Sequence, residues 1–432
     1  MAFDTPKTFR NQVMYSVYVR QYSKEGTFDK VREDLPRIRA LGVDILWLLP
    51  IHPLGKKARK GPLGSPYAIQ DYRAVNPEFG ALEDFRKLVE AIHALGMKCI
   101  IDVVYNHTSP DSWLARHHPE WFYRKEDGSF YNRIGEWPDI IDLDYTQPGL
   151  WDYQIETLKQ WAAIVDGFRC DVAPLIPLPF WLRAREEVGK VHPGCLWLSE
   201  TVESVFTLDN RARGMVSLSD SEIYQAFDVS YEYDIYQDFI GVLTGRRSLG
   251  EYAEAINRQE SLYPDNYVKL RFLENHDRPR AKFLIPDERQ RRNWTAFLYF
   301  QKGMTLLYNG QEVESAFRPS LFHKNEVVWD TGHDISPFLQ RLSQIKRSPV
   351  FAQGAYHVSD GGNGMLRAKY DTQALRMLGV FSTKGQSALV AVDAPDGAYE
   401  NLVDGSSVLV EGGLMPCSGE PVMIAIPKGE KV

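Results

Sequence analysis

Acids, histidines and one arginine close four of the short apolar runs in this 432-residue chain. "DVVYNH" ends in Asp102, Asn106 and His107, and "GFRCDV" carries Arg169 and Asp171. "LSET" carries Glu200, and "LENHD" carries Glu274, His276 and Asp277. Taken singly, an aspartate at a strand end most often caps a helix, and a lone histidine is most often a hydrogen-bonded structural residue. Crowded on one rim, carboxylates repel and are costly to desolvate unless paired. Arg169 lies two residues before Asp171, so in a strand both point to one side. A fixed guanidinium would hold that carboxylate ionised and oriented. Three acids with one held ionised suit glycoside hydrolysis with retention. That reaction needs a carboxylate nucleophile and a second carboxyl group, acid then base, about 5 Å away. Asp171 and Glu200 close successive runs and are the natural pair. Glu200 would need a raised pKa to be protonated near neutrality. Asp277 would bind sugar hydroxyls and support the oxocarbenium-like transition state, while Asp102, deeper in its run, reads as support.

Eight strand-like runs have to position these groups: "VMYSVYV", "DILWLLP", "KCIIDVVY", "GFRCDV", "CLWLSE", "FDVSYEY", "VKLRFLE" and "MTLLYNG". Most are rich in β-branched or aromatic residues and bounded by Gly, Pro or Asn. Several gaps carry helical stripes. One is Leu82, Phe85, Leu88, Ile92 and Leu95, stopped by Gly96; a second is Trp151, Ile155, Leu158 and Trp161, with Pro148 near its start. A third is Trp181, Ala184, Val188 and Val191, and a late one is Phe338, Leu342 and Ile345. Pro36 interrupts or delays the helix after the first run. Eight βα units point to a doubly wound sheet or a closed (β/α)8 barrel, and eight units over residues 1–350 favour the barrel. The expected organisation is a barrel from 1–107 and 145–350, a small aromatic and polar inserted domain at 108–144, and a C-terminal antiparallel β-sandwich at 351–432. The last follows from "LRAKYD", "LRMLGVFS", "ALVAVD", "SVLVEG" and "VMIAIP", separated by Gly- and Asp-rich turns. In such a barrel, chemistry sits at the C-terminal strand ends, where the acids fall.

The net charge of −7 argues against nucleic acid or an anionic membrane as a partner. No apolar run reaches membrane-spanning length, and the N-terminal residues lack a signal-peptide core, so a cytoplasmic location is expected. Cys99, Cys170, Cys195 and Cys417 stand in no metal-ligand spacing and read as buried free thiols. The adjacent His117 and His118 have no third ligand at suitable spacing and read as a surface pair.

The runs resemble the α-amylase family of retaining glycoside hydrolases. "DVVYNH", "GFRCDVA", "LSET" and "LENHD" are similar to that family's four conserved regions, in order. "GVDILWLLP" and "MTLLYNGQE" resemble its second- and eighth-strand signatures, and "SPYAIQDY" its tyrosine platform. The resemblance covers nearly the whole chain. It implies Asp171 as nucleophile, Glu200 as general acid/base and Asp277 as transition-state stabiliser. It implies that Arg169 positions Asp171, that His107 and His276 bind sugar hydroxyls, and that Tyr67 stacks on the sugar. Asp71 would order the tyrosine loop, Asp102 would support the site from behind, and Asn106 would tie down the third-strand loop. The implied substrate is an α-1,4-glucan oligosaccharide. No cofactor is required for the chemistry. A structural calcium, with Asn106 and Asp139 as metal positions, is the one metal the resemblance raises, and "WPDIIDLD" adds Asp142 and Asp144.

Two features depart from the family pattern. A Lys-His pair often stands three and four residues after the nucleophile; here those positions are Pro174 and Leu175. This removes a lysine contact to sugar and weakens the case for the calcium. The inserted segment is also short, and its Trp121, Phe122, Tyr123, Phe130, Tyr131 and Trp137 are open to two readings, sugar platforms or a mini-core. Within the same scaffold, a 4-α-glucanotransferase, an α-glucosidase or an α-1,6-active relative uses the same acids. A non-catalytic sugar-binding relative would lose one or more of them, and all three are present.

Overall fold

The computed structural model describes residues 2–135 and 137–428. Met1, Glu136 of the expected inserted domain and the last four residues of the expected sandwich, 429–432, lie outside the described residues. Eight strands close into a barrel: β1 (Val13–Val17), β2 (Ile45–Leu48), β3 (Lys98–Val103), β4 (Gly167–Cys170), β5 (Leu196–Ser199), β6 (Val229–Tyr231), β7 (Val268–Arg271) and β8 (Met304–Tyr308). Their order around it is β1-β8-β7-β6-β5-β4-β3-β2. The strands read as continuous apolar runs because both faces of a parallel sheet are covered, and apart from Lys98 every one of their residues is buried.

The chain divides into two compact units. Met14–Tyr231 and Arg318–Val328 make most of the first, and Thr5–Val13, Glu232–Phe317 and the chain from Trp329 make the second. In the first, parallel register sets Asp102 opposite Arg169, Arg169 opposite Leu198 and Cys170 opposite Ser199. The helical stripes pack on these strands. Phe85, Leu88 and Ile92 are buried along the helix Leu82–Ala94, while Leu82 at its first position is exposed. Ile155, Leu158 and Trp161 are buried along Pro148–Ala162. After β1, two short helices, Phe28–Glu33 and Leu35–Ala40, replace one long helix. Pro36 lies in the first turn of the second, where its missing N–H is harmless. Between β3 and β4 the inserted segment is held by a two-residue antiparallel ladder, His107–Thr108 with Ile141–Asp142.

In the second unit, Ala355–Asp360, Met365–Asp371, Leu375–Ser382 and Val422–Pro427 form a four-stranded antiparallel sheet. Two two-stranded antiparallel sheets share a core with it, Ala388–Ala391 with Leu414–Cys417 and Gly397–Glu400 with Ser407–Val410. Leu378, Val390, Val410, Met415 and Ile424 form their shared core. On the other side of the larger sheet, Phe381 packs on Phe297 and Tyr370 on Phe300, both from the helix Glu288–Phe300. All four cysteines are buried and unpaired. No helix among the described residues is long and apolar enough to cross a membrane.

His52, just past β2, is 1% exposed and packs edge-on to Trp161 and Tyr72. Its Nδ1 donates to the Ala74 carbonyl at 2.9 Å. Burial holds its pKa down at about 4. A histidine with a depressed folded pKa contributes stability that is present above its unfolded value, about 6.5, and is lost as pH falls toward 4. Urea unfolding of the wild type should lose up to about 3 kcal/mol between pH 7 and pH 4 from this group alone. His52→Gln, which keeps a donor for Ala74, should show a correspondingly flatter acid limb; an unchanged limb would refute the assignment.

Candidate active site

Arg169 is fully buried and organises the rim of the first unit. Its Nη1 donates to Asp102 Oδ1 at 2.9 Å, to Asp102 Oδ2 at 3.1 Å and to Asp171 Oδ1 at 2.8 Å. Its Nη2 lies 2.9 Å from Glu200 Oε2, a close ion pair without an aligned hydrogen bond. Its Nε donates to the Tyr231 hydroxyl at 3.3 Å. The barrel ladder continues past the strands to fix both acids, with Asp171 N donating to Val103 O and Glu200 N to Cys170 O. Two carboxylates from adjacent strands therefore meet one guanidinium. Burial lowers, and Asp102 and Glu200 raise, the pKa of Arg169, which ends well above its ordinary value. Burial pushes the Asp102 carboxyl well up, against the pull of Arg169.

The chain takes an unusual path straight after Asp171. Val172 has φ 34° and ψ 43°, left-handed backbone that a β-branched residue rarely adopts. Such strain costs on the order of 1–3 kcal/mol and concentrates at functional sites. Here it aims the Val172 N–H at Glu200 Oε2, 2.9 Å away. Ala173–Leu175 then form a 3-10 turn whose Pro174 and Leu175 side chains are buried, so both substituted positions face protein.

The other residues of the first unit gather around this pair. His107 is buried, with Nε2 4.0 Å from Asp171 Oδ2. Asn106 Nδ2 donates to its Nδ1 at 3.1 Å. Burial lowers the His107 pKa, favouring the neutral ring that the Asn106 contact requires. The Tyr67 hydroxyl donates to Asp102 Oδ2 at 3.2 Å, and its half-buried ring lies 5.6 Å from the Arg169 guanidinium. Asp71 accepts from the Arg73 amide at 2.9 Å, a turn that orders the tyrosine loop. Trp137 leans on His107 with ring centroids 5.7 Å apart. The remaining loop aromatics mostly pack among themselves: Phe122 on Phe130, Trp121 on His118 and Tyr123 under Arg133. His117 stacks on Trp113.

In the second unit, past β7, His276 Nε2 lies 3.0 Å from Asp277 Oδ2, and Asp277 is exposed. Asp277 N donates to Asn275 Oδ1 at 2.9 Å. Glu274 is instead consumed locally, accepting from Arg280 at 2.7 Å and from the Ala281 amide. Trp47 and Tyr231 went unnoticed in the sequence, and their rings lie 5.3 and 5.5 Å from the Arg169 guanidinium. Trp47 registers with Ile100, two residues before Asp102, so its parity matches that of Asp102 only once the register is known.

The family model for the alpha amylase catalytic domain matches residues 6–118 and 110–350, and that for the bacterial alpha amylase C-terminal domain matches 357–424. The chain belongs to the α-amylase family. The crystal structure of an alpha-amylase from Lactobacillus plantarum is 46% identical, with TM-score 0.95 over 97% of this chain and 99% of that one. A noncanonic maltogenic alpha-amylase, AmyB from Thermotoga neapolitana, is 31% identical, with TM-score 0.87 over 97% and 99%. Among curated proteins, an alpha-1,4-glucan:maltose-1-phosphate maltosyltransferase from Pseudomonas aeruginosa is 36% identical over 43% of this chain and 32% of its own length. Alpha-amylase MalA from Haloarcula japonica is 26% identical over 83% and 53%. The chain thus spans about a third to a half of these two curated relatives.

The calcium positions of this family member do not fit a calcium ion. That ion takes six to eight oxygens. Asp139 Oδ1 is paired with Lys60 Nζ at 3.0 Å. Asp142 Oδ2 accepts from the Arg133 amide and from its Nε, each at 3.0 Å, and Asp142 Oδ1 is a buried orphan oxygen among the described residues. The Asn106 amide is turned to His107, and Asp144 Oδ1 accepts from Thr146. Among the described residues no group of three or more His, Cys, Asp or Glu could hold a metal.

Arg169→Lys tests the guanidinium. A lysine keeps the charge but cannot bridge three carboxylates. The variant should lose about 3–5 kcal/mol of unfolding free energy, as when a buried ion pair is broken. A melting temperature matching the wild type would show that charge alone suffices.

Proposed function

We propose that this chain is a retaining glycoside hydrolase cleaving α-1,4-glucosidic bonds in maltodextrins or starch-derived oligosaccharides through a covalent glycosyl-enzyme. The observation that carries the reading is the convergence of Asp171 and Glu200, from adjacent strands, on Arg169. Asp171, held by Arg169, attacks the anomeric carbon. The bond to the glycosidic oxygen breaks as that oxygen takes a proton from Glu200. Glu200 then accepts a proton from water, which attacks the anomeric carbon and releases Asp171. In the geometry here Glu200 Oε2 faces two donors, the Val172 amide and Arg169 Nη2. That is the arrangement of the base step; the acid step requires the carboxyl to carry a proton and turn toward the glycosidic oxygen. His107 and His276 bind sugar hydroxyls, Tyr67 stacks beneath the ring, and Asp277 stabilises the oxocarbenium-like transition state.

A second reading keeps the glycosyl-enzyme and passes the sugar to another sugar hydroxyl. The likeness to maltosyltransferases favours it. Turnover of maltoheptaose separates the two, since products longer than the substrate mean transfer. Asp171→Asn and Glu200→Gln should each cut turnover by at least about 10³-fold with the fold intact, because each removes a group the transition state needs. The new reducing end formed when water resolves the glycosyl-enzyme should be the α-anomer before mutarotation. Release of the β-anomer, or unchanged turnover in either variant, would end the proposal.

A further inference from the structure

Asp139 is a buried carboxylate whose cation, among the described residues, reaches it from a distant segment. Its side chain is 3% exposed, and Lys60 Nζ lies 3.0 Å from Oδ1. An exposed pair of this kind would contribute little. Here removal of the lysine would leave a buried charge unpaired, which is costly. Lys60 is itself held in place. Its Nζ lies 5.9 Å from the Phe322 ring, and Leu63 N donates to Phe322 O at 3.2 Å. The next residue, Gly61, has φ +62°, and a Cβ there would come within 2.8 Å of Phe322. Asp139 in turn belongs to a tight turn in which Ile140 N donates to Trp137 O at 3.3 Å. Trp137 opens that turn, and its half-buried ring leans on His107. Lys60 therefore ties three segments of the first unit, following β2, β3 and β8, at the turn that places Trp137.

We propose that Lys60 is a positioning residue: its ammonium does at Asp139 what a divalent cation would do, and so fixes the Trp137 indole beside His107 as a wall of the sugar cleft. This rests on the glucan-hydrolase reading above. The test compares wild type, Lys60→Met, Lys60→Arg, Asp139→Asn and the double variant Lys60→Met/Asp139→Asn, with maltoheptaose kinetics and melting curves in EDTA and in calcium chloride. Lys60→Met should raise KM about tenfold, with a smaller change in kcat, because a misplaced wall costs binding geometry. Lys60→Arg should recover most of the loss. The double variant should be no worse than Lys60→Met alone, as coupled residues require. EDTA and calcium should leave wild-type KM and Tm unchanged. A wild type that loses Tm and affinity in EDTA and regains them with calcium would assign the role to a metal and overturn the proposal. So would a wild-type KM in Lys60→Met, or a loss confined to Tm. If Lys60→Met fails to fold, Asp139→Asn carries the same test, and a wild-type KM there overturns it. If the wild type turns over no glucan, the hydrolase reading fails, while the EDTA and calcium melting curves still test the clamp.

Discussion

One buried cation among three carboxylates is the constraint on which the site depends. Arg169 is in contact with Asp102, Asp171 and Glu200. With all three acids ionised the cluster would carry a net charge of −2 in a place of low dielectric, where such an excess is costly. The cost is eased in two ways. Aromatic faces from Trp47, Tyr67 and Tyr231 surround the guanidinium, and burial drives the Asp102 carboxyl upward. A raised Asp102 carboxyl holds a proton more readily than an ordinary aspartate, which reduces the excess negative charge.

The parallel barrel explains how such a cluster is assembled without flexible parts. Asp102 and Arg169 are register partners on neighbouring strands, so their pairing is a property of the sheet itself. Asp171 and Glu200 each stand one residue past a strand, still held by a ladder hydrogen bond. Val172, directly after Asp171, leaves regular geometry, and its strained conformation supplies the amide that faces Glu200. Rigidity in the strands and one point of strain at the turn together set the acid pair.

The barrel was legible because eight apolar runs repeat and because period-two parity places Arg169 and Asp171 on one side. The gathering of strand-end acids followed, since a parallel barrel collects its strand ends on one face. Glu274 shows the limit of that logic: it closes a run as the other acids do, yet Arg280 and the Ala281 amide take it up. A strand end gives position and not the partners present there. Trp47 and Tyr231 were missed for the same reason, because their proximity to Arg169 depends on register between strands far apart in sequence. In the C-terminal sheets, Ala355–Asp360, Gly397–Glu400 and Leu414–Cys417 escaped notice. Each is half exposed by alternation, so none forms the apolar run that marked the barrel strands.

The loops follow a different rule from the strands. A βα loop at the mouth of a barrel must expose polar backbone and still keep a defined shape, and it needs anchors that the ladder does not supply. In this chain those anchors are ion pairs with one deeply buried partner, Lys60 with Asp139 and Arg133 with Asp142. The basic partner in each pair is only partly buried, so the charges remain near water while the carboxylates shape the interior of the loop. The sequence carried both halves of each pair, but nothing local links Lys60 to Asp139 across 79 positions. The departure at Pro174 and Leu175 belongs to the same pattern. The stretch after Asp171 is closed by packed apolar side chains where a polar pair was expected, and its shape follows from packing of the 3-10 turn. The clustering of the acids is thus written into strand register, whereas the shape of the loops around them is written into contacts between loops, which is why the family could be read from the residues more directly than a preferred substrate.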